Sequence, residues 1–438
     1  MPLTVRQAAF IGVGAMVGAG IFSLLGAAGE VAGAAVWISF LIAGVVAGLQ
    51  GYSFGKLGAR YPSAGGILEY VIRGFPGIAG VVAWLVLATN AIIVGMVAVS
   101  FGSYASGAFT EHNSTWIKVF AVLLIVVMTA LNVAGSQAVA RVQTVVVVVV
   151  IGILSLFAVV TIAEIDPHLL AFSGYPSFQD IVSSVALTFF AFLGFGVITF
   201  TAKDLREPAR QLPRAMYLAL GIATVVYVAV ALGVFGTLTV EKVISSGGTA
   251  LAVAAEPALG VAGYWLMSIT ALFATAGATN AGLYPAAGLC EQMASGGQFP
   301  PTLGARLGDR LAMGLLITAA IAAVLALGFD LSAIASIGSA IALLVFGLVT
   351  VGHLRLRAET GANVWILAAA ILSTAAVLVT FIVTTLVNEP KTMITIGVIL
   401  VLSIVLDVGW KRAQGSRLGP AVMDARGGAQ EASPHAGT

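Results

Sequence analysis

The chain of 438 residues has few charged side chains and almost no cysteine. Asp, Glu, Lys and Arg make up 9% of it, whereas soluble domains carry about 25%. Hydrophobic residues make up 60%, which excludes an ordinary soluble protein and favours a chain that crosses a membrane many times. Cys290 is the one cysteine, so an intrachain disulfide is excluded.

Histidine is equally scarce, and its positions exclude several kinds of site. The four histidines are His112, His168, His353 and His435, which fall in predicted loops, at a segment end or in the tail. No group of His, Cys and acidic residues has the spacing of a metal or haem site, and no Ser-His-Asp arrangement falls in the hydrophobic segments. We therefore expect no enzyme, no metal, no other cofactor and no nucleic acid partner.

Long hydrophobic runs are abundant. A helix needs about 20 mostly apolar residues to cross a bilayer core. Turn and charge signals separate twelve such runs, segments 1 to 12, over residues 7–28, 34–57, 78–107, 117–134, 137–163, 180–203, 214–238, 257–290, 312–329, 332–354, 363–387 and 391–410. We expect an all-α polytopic membrane protein with twelve transmembrane helices in one domain, 1–410. A polar tail over 411–438 is predicted to be disordered and cytoplasmic.

Lysine and arginine predict the orientation of these segments. In a twelve-segment chain, 17 of the 20 basic residues fall on one side, and Lys118, Lys242 and Lys391 fall on the other. Basic residues accumulate in the cytoplasmic loops of membrane proteins. We therefore expect both termini to lie on the cytoplasmic side of the cytoplasmic (inner) membrane.

Glycine marks a weakness in two segments. Segment 1 contains Gly18 and Gly20 in the run V-G-A-G-I-F, and each glycine weakens a helix by about 1 kcal/mol relative to alanine. Segment 6 contains Gly194 and Gly196, and it crosses in the opposite direction because it lies five segments later. Glycine also serves close helix packing. Two such pairs at matching positions favour interrupted helices and an inverted-repeat transporter.

An interrupted helix exposes main-chain groups within the membrane. The outer half of segment 1, beginning near residues 19–21, would turn its N-terminus inward and suit a carboxylate. The inner half ends near Met16 with carbonyls that suit an ammonium group, and the outer half of segment 6 ends likewise between Phe190 and Leu193. A zwitterionic amino acid fits this pair of sites without any charged side chain.

Polar and aromatic residues within the segments have two interpretations each. Asn90 in segment 3 could line the site or bond to a neighbouring helix. Thr275 and Thr279 in segment 8 could coordinate an ion or bond to carbonyls of their own helix. Phe190 could gate the site, because it lies just before the interruption, or could serve packing alone.

Three motifs together resemble the amino acid–polyamine–organocation (APC) superfamily of permeases. They are V-G-A-G-I-F (Val17–Phe22), A-R-Y-P-S-A-G-G-I-L-E-Y (Ala59–Tyr70), and F-F-A-F-L-G-F-G followed by E-P-A-R-Q-L-P-R-A (Phe189–Ala215). Each motif is weak alone, and the three in order are specific. The resemblance covers segments 1 to 8.

The resemblance implies a 5+5 inverted repeat of the leucine-transporter type, with repeats over 7–163 and 180–354, two extra helices over 363–410, and alternating access. It implies that the substrate carboxylate meets the amides of residues 19–21 and the amine meets carbonyls on both interrupted helices. The predicted substrate-binding residues are Met16, Ala19, Gly20, Ile21, Asn90, Phe190, Leu193, Gly194 and Gly196. Phe190 is the expected gate, and Thr275 and Thr279 are possible ion ligands.

Three departures from the family pattern affect the coupling ion and the substrate. Gly196 stands where many members have an acid, Val150 where proton-coupled members often have a lysine, and Thr275 alone where sodium-coupled relatives of this fold have a Ser/Thr pair. Proton coupling, sodium coupling, exchange and facilitated uptake therefore stay open, as does a homodimer. A cationic side chain would lack a counter-charge, so we expect a neutral amino acid.

Two other functions are compatible with these patterns. A carrier of polyamines or organic cations would use the same fold, but its substrate lacks the carboxylate that the segment 1 site suits. A non-transporting membrane sensor is the alternative of a different class. A channel is less favoured, because no charged ring or carbonyl-lined filter motif is present.

Overall fold

The computed structural model describes residues 3–18, 20–63, 66–110, 113–134, 137–307 and 311–417. Over these residues the chain is mostly helical, and ten helical stretches are long and apolar enough to cross a membrane. Two further apolar helices are shorter, Val5–Val17 and Met313–Gly328. A mostly helical chain with many membrane-spanning helices is therefore confirmed, and the count of twelve stays a prediction.

The α-helices in the described residues are numbered in chain order. They are α1 (Val5–Val17), α2 (Leu25–Ala32), α3 (Val36–Arg60), α4 (Ile67–Gly74), α5 (Ala79–Phe109), α6 (Ser114–Ala134), α7 (Gln137–Ala163), α8 (Phe178–Phe190), α9 (Pro208–Thr237), α10 (Val240–Ser246), α11 (Ala250–Ser295), α12 (Met313–Gly328), α13 (Leu331–Thr360), α14 (Val364–Thr384) and α15 (Pro390–Arg417). Two short antiparallel strands, β1 (Arg306–Leu307) and β2 (Leu311–Ala312), precede α12.

Segments 1 and 6 are both interrupted. Segment 1 forms α1, which ends at Val17, and the α-helix resumes at Leu25, so the described residues between them, 18 and 20–24, form a non-helical first turn. Segment 6 forms α8 up to Phe190, and residues 191–192 form the second turn. The chain then continues as a 3-10 helix, the 3-10 segment (Leu193–Asp204). Such a long 3-10 run is uncommon and often marks a functional hinge.

Three helical features differ from the sequence expectation. The two short helices α4 and α10 lie in predicted loops, because they are too short and too amphipathic or polar to be read as spans. The eighth span begins at Ala250 rather than at residue 257, and Gly260 (φ 66°) bends it. Only glycine adopts this backbone conformation without strain.

The disordered tail predicted from residue 411 is wrong for residues 411–417, which continue α15. Side-chain contacts hold this extension. Lys411 Nζ lies 2.7 Å from Asp407 Oδ2 one turn earlier, and Trp410 Nε1 and Gln414 Nε2 each donate to the Gly297 carbonyl at 3.0 Å. Composition alone did not show these contacts with a distant loop. Residues 418–438 lie outside the described part of the chain.

The helices pack in two groups. The first helix group comprises α1, α2, α3, α8, α9 and the 3-10 segment: α3 packs against α8 and α9, α2 packs against α8, and α1 packs against α9 and the 3-10 segment. The second helix group comprises α5, α6, α11 and α12, which pack against one another. Helix α13 contacts α3 and α8 of the first group and α5 of the second. The two interrupted spans therefore belong to one packed group.

Candidate functional site

The two interruptions touch each other through their backbones. A Cβ on Gly20 would overlap the Cα and Cβ atoms of Ala191 in the second turn. A Cβ on Gly194 would lie 2.5 Å from the amide nitrogen of Met16 and 2.7 Å from the carbonyl oxygen of Ala15. Real side chains do not tolerate such distances. The glycines therefore allow the two spans to pack closely and also lie where the helices are interrupted. Both interpretations of the sequence, close packing and interruption, apply.

The first turn leaves main-chain donors without partners. The N–H groups of Ser23 and Leu24 donate to the Gly20 carbonyl at 3.1 and 3.0 Å. Within the described part of the chain, no hydrogen bond engages the N–H of Gly20 or Ile21. Both residues are buried. Buried unpaired donors are rare in proteins, so they mark a place where a ligand acceptor can bind.

These donors belong to a turn and not to a helix N-terminus. The expectation that the outer helix of segment 1 begins near residues 19–21 is wrong, because α2 begins at Leu25. Gly20 must instead accommodate Ala191 across the contact between the turns. Successive N–H groups in a turn still form an anion-binding concavity. Ala19, the third predicted amide, lies outside the described residues.

Side chains from other helices fasten both turns. In the first turn, the Tyr104 hydroxyl of α5 donates to the Phe22 carbonyl at 2.9 Å, and the Ser23 hydroxyl donates to Ser100. In the second turn, the Tyr227 hydroxyl of α9 donates to the carbonyl of residue 191 at 3.1 Å. Each turn thus depends on hydrogen bonds from residues far away in the sequence.

The backbone of the second turn is better paired. The N–H groups of Ala191 and Phe192 donate to carbonyls three residues earlier, at 3.1 and 2.9 Å, and Phe195 does the same at 3.0 Å. These i to i−3 hydrogen bonds are those of a 3-10 helix. Segment 6 therefore tightens at its interruption, whereas segment 1 unwinds. The two interruptions are therefore chemically different.

A cavity of about 70 Å³ lies beside the contact between the turns. Its walls come from α1, α4, α5, the 3-10 segment, α11 and α13. By the same measure one water needs about 10–15 Å³, so the cavity has room for about five. The described lining residues carry no charge, and their polar side chains are Thr89 and Asn90. Thr89 donates to its own helix at the Leu85 carbonyl.

The predicted substrate residues divide into those that line the cavity and those that do not. Asn90, Leu193, Gly194 and Gly196 line it. The Asn90 carboxamide has no hydrogen-bond partner among the residues that the structure describes. Met16 and Ile21 are fully buried and do not line the cavity.

Phe190 also lies outside the cavity lining. Its side chain is fully buried, and a Cβ on Gly338 of α13 would lie 2.5 Å from its ring. The ring therefore packs between α8 and α13 at the end of the interrupted helix. Its role as a gate stays a prediction.

The two threonines of α11 bond to their own helix. Thr275 donates to the Ala271 carbonyl at 2.6 Å, and Thr279 donates to the Thr275 carbonyl at 2.9 Å. A second, smaller cavity of about 10 Å³ lies between α1, α7 and α11. The described residues that line it are Gly14, Val17, Gly18, Val146, Val147, Val150, Ala274 and Gly277, which have no side-chain oxygen.

Sequence reasoning missed most of the cavity wall. Ala15 and Ala278 are small residues in ordinary helices, and Phe200 and Phe346 are aromatic residues in apolar runs. None of them carries a local signal. Thr89 adjoins Asn90 in the chain, and that polar pair in segment 3 was the one available clue.

A polar cluster closes the end of the molecule that carries the basic loops. The Tyr61 hydroxyl, just after α3, donates to Glu359 near the end of α13. The Arg73 guanidinium lies 4.3 Å from the Tyr61 ring centroid and pairs with Glu69 at 2.6 Å. Burial, and then the hydrogen bond and charge of Glu359, raise the pKa of Tyr61 above its ordinary value. The cluster joins α3, α4 and α13.

Comparison with known families decides what kind of protein this is. The family model described as amino acid permease matches residues 3–407. The chain belongs to the amino acid permease family. It is therefore a multi-pass membrane transporter of the APC superfamily, as its three motifs indicated. In the described residues no group of three or more His, Cys, Asp or Glu could hold a metal ion.

Individual relatives agree with this permease assignment. The chain is 33% identical over 418 residues to the inner membrane transport protein YbaT of Escherichia coli (strain K12), covering 94% of this chain and 96% of that one. It is 25% identical over 238 residues to the branched-chain amino acid permease BcaP of Bacillus subtilis (strain 168), covering 50% and 51%.

A solved structure shows the same fold. The manganese transporter of Eremococcus coleocola superposes with a TM-score of 0.60 over 93% of both chains. Its sequence is 15% identical, so the likeness concerns the fold alone. The two chains therefore share a fold.

Proposed function

We propose that this permease is a secondary active transporter of a neutral amino acid that works by alternating access. The observation that carries the proposal is the meeting of the two interrupted spans, with unpaired N–H groups at Gly20 and Ile21, beside an uncharged cavity. Interrupted helices that meet within the membrane are the usual substrate site of such transporters.

The first turn would hold the substrate carboxylate. The N–H groups of Gly20 and Ile21 are donors without a partner in the described chain, and a carboxylate is a strong acceptor. The N–H of Ala19, which lies outside the described residues, is the third proposed donor. The amine would meet carbonyls near Met16, Phe190 and Leu193. Of these, the Met16 carbonyl also accepts from the Gly18 N–H, and a carbonyl oxygen can accept a second hydrogen bond.

The substrate side chain would occupy the cavity. The lining is apolar apart from Thr89 and Asn90, so a cationic or anionic side chain would lose its hydration without gaining a counter-charge. The small volume favours small or medium aliphatic side chains. The name of the relative BcaP, a branched-chain amino acid permease, supports the same class.

The division of the helices supports alternating access. The first helix group contains both interrupted spans, and it could tilt against the second group around the site. A 5+5 inverted repeat over 7–163 and 180–354, with cytoplasmic termini, completes the proposed architecture. Coupling to a proton or to sodium stays open, although the small cavity beside α11 offers sodium no side-chain oxygen from its described lining.

Uptake into liposomes containing the purified protein tests this function. A panel of twenty radiolabelled amino acids is measured with and without imposed proton and sodium gradients. We expect an aliphatic neutral amino acid to enter best. Its carboxyl-amidated form should compete, and stabilise the protein against heat, only at much higher concentration. Preferential uptake of lysine, arginine or a polyamine would overturn the substrate class, and absence of flux for every substrate would overturn transport of amino acids.

A further inference from the structure

Two buried tyrosines each hold one carbonyl of the interrupted spans. Tyr104 on α5 donates to Phe22 in the first turn at 2.9 Å, and Tyr227 on α9 donates to Ala191 in the second turn at 3.1 Å. Tyr104 is 1% exposed and Tyr227 is fully buried. These bonds therefore have no solvent to replace them, and losing one would leave a buried carbonyl unpaired.

Each tyrosine makes a second contact with the turn that it holds. The ring of Tyr104 meets the ring of Phe22 edge-on, with centroids 6.2 Å apart. The ring of Tyr227 meets the ring of Phe192 with centroids 5.1 Å apart. A hydrogen bond and a ring contact together fix the orientation of a turn, which a hydrogen bond alone would leave free to rotate.

A third buried tyrosine shows that such a bond is not automatic. Tyr70 on α4 is 1% exposed, and its hydroxyl has no hydrogen-bond partner among the described residues. It lies against Gly58 and the ring of Phe54. Tyr70 therefore provides a matched control, because Tyr70→Phe removes a buried hydroxyl without releasing any carbonyl.

We propose that Tyr104 and Tyr227 are positioning residues of the substrate site. By holding the carbonyls of Phe22 and Ala191, they keep these acceptors out of the site and fix the direction of the neighbouring main-chain groups. Tyr104 thereby presents the N–H groups of the first turn to the substrate carboxylate. Tyr227 presents the carbonyls beside the second turn to the substrate amine. This inference rests on the proposed amino acid site.

The two tyrosines act from different helix groups. Tyr227 belongs to α9, which packs in the same group as both interrupted spans, so its bond persists when the groups move. Tyr104 belongs to α5 in the second group, so its bond crosses between the groups. The carboxylate contact therefore depends on how the groups are placed, whereas the amine contact does not.

The experiment removes one tyrosine hydroxyl from the protein and, separately, one charged group from the ligand. Tyr104→Phe, Tyr227→Phe and Tyr70→Phe are compared with wild type for the amino acid that the panel selects. The apparent affinity is also measured, by thermal shift and by competition, for its carboxyl-amidated and its deaminated analogues. A coupling between a side chain and one ligand group appears as non-additivity in such a cycle.

We expect Tyr104→Phe to raise the KM for the amino acid about fivefold or more. It should weaken the binding of the amidated analogue much less, because that analogue already lacks the carboxylate. Tyr227→Phe should show the opposite pattern, with the deaminated analogue spared. Tyr70→Phe should stay within about twofold of wild type, since it leaves no polar group unpaired.

If either variant weakened the binding of the amino acid, the amidated analogue and the deaminated analogue equally, the positioning role would be overturned and only a structural role would be left. Values like those of Tyr70→Phe would also overturn it. If a tyrosine variant does not fold, Phe192→Leu loosens the ring contact while keeping the Tyr227 hydroxyl, and it should spare the deaminated analogue in the same way. A wild-type protein that transports no amino acid would contradict the proposed function instead.

Discussion

The two interrupted spans have the same glycine signature and different structures. In the first, residues 18 and 20–24 are not helical, and the N–H groups of Gly20 and Ile21 have no partner in the described chain. In the second, the backbone turns at 191–192 and tightens into a 3-10 helix whose N–H groups are mostly paired. The same kind of sequence thus yields an open donor site in one span and a tightened helix in the other.

The neighbouring side chains account for this difference. The second turn lies between large buried rings, Phe189, Phe190, Phe192 and Phe195, which hold the chain in a compact helical path. The first turn contains two glycines, Gly18 and Gly20, and lies against the backbone of Ala191. Small residues permit unwinding, and bulky buried ones oppose it. The comparison predicts that the first turn is the more sensitive to any added side-chain atom.

The largest effect is expected for Gly20→Ala. The added Cβ would overlap Ala191, so the two turns must separate, and such overpacking costs about 1–3 kcal/mol. We expect the initial rate of uptake in liposomes to fall at least about tenfold. Gly48→Ala is the matched control, because nothing lies within 4 Å of its Cβ position. Wild-type uptake by Gly20→Ala would contradict a site built on this contact.

A smaller effect separates the two glycines of segment 6. Gly194→Ala would press on the backbone between Ala15 and Met16, which cannot yield. The Cβ of Gly196→Ala would lie 3.0 Å from the end of the Ile67 side chain and 3.8 Å from the Phe346 ring, both of which are side-chain atoms. We expect Gly194→Ala to lose most uptake. Gly196→Ala should retain at least about half of it, with the largest accepted substrates lost first because the cavity narrows. If both variants lost uptake equally, the results would contradict the finding that Gly194, and not Gly196, lies against the backbone of segment 1.

The smallest effect is expected behind the first turn, at Thr275→Val on α11. The hydroxyl donates to its own helix, so its loss costs about 0.5–1.5 kcal/mol of stability and should change uptake less than about twofold. The measurement is uptake at varied sodium concentration, with thermal stability recorded in parallel. A loss of sodium-stimulated uptake would show that Thr275 is an ion ligand despite that bond.

Much of the fold was readable because membrane spans are long, apolar and separated by turn signals. The bounds of α5, α9 and α14 lie within a few residues of the predicted segments. The short helices α4 and α10 were missed because helices of about two turns are too short to be recognised as membrane spans. Helix α15 was underestimated because its last turns are held by a distant loop at Gly297.

The site was only partly readable. The glycine pairs located the contact between the turns at Gly20 and Gly194, and of the residues predicted to bind substrate, Asn90, Leu193, Gly194 and Gly196 line the cavity; their role in binding stays a prediction. Cavity walls such as Ala278 and Phe346 could not be identified, because a small or aromatic residue in an apolar helix has the same local pattern whether it packs or lines a space.

By itself, the sequence determined that this protein is a helical membrane permease with weak points in segments 1 and 6, because composition, hydrophobic length and glycine position are local properties. The tertiary structure decided which main-chain groups at those weak points stay unpaired. Tyr104 and Tyr227 reach carbonyls 82 and 36 residues away in the chain, and Ala191 closes on Gly20 from another span. Hydrogen bonds and contacts between distant segments have no local signature, so only the folded chain could reveal them.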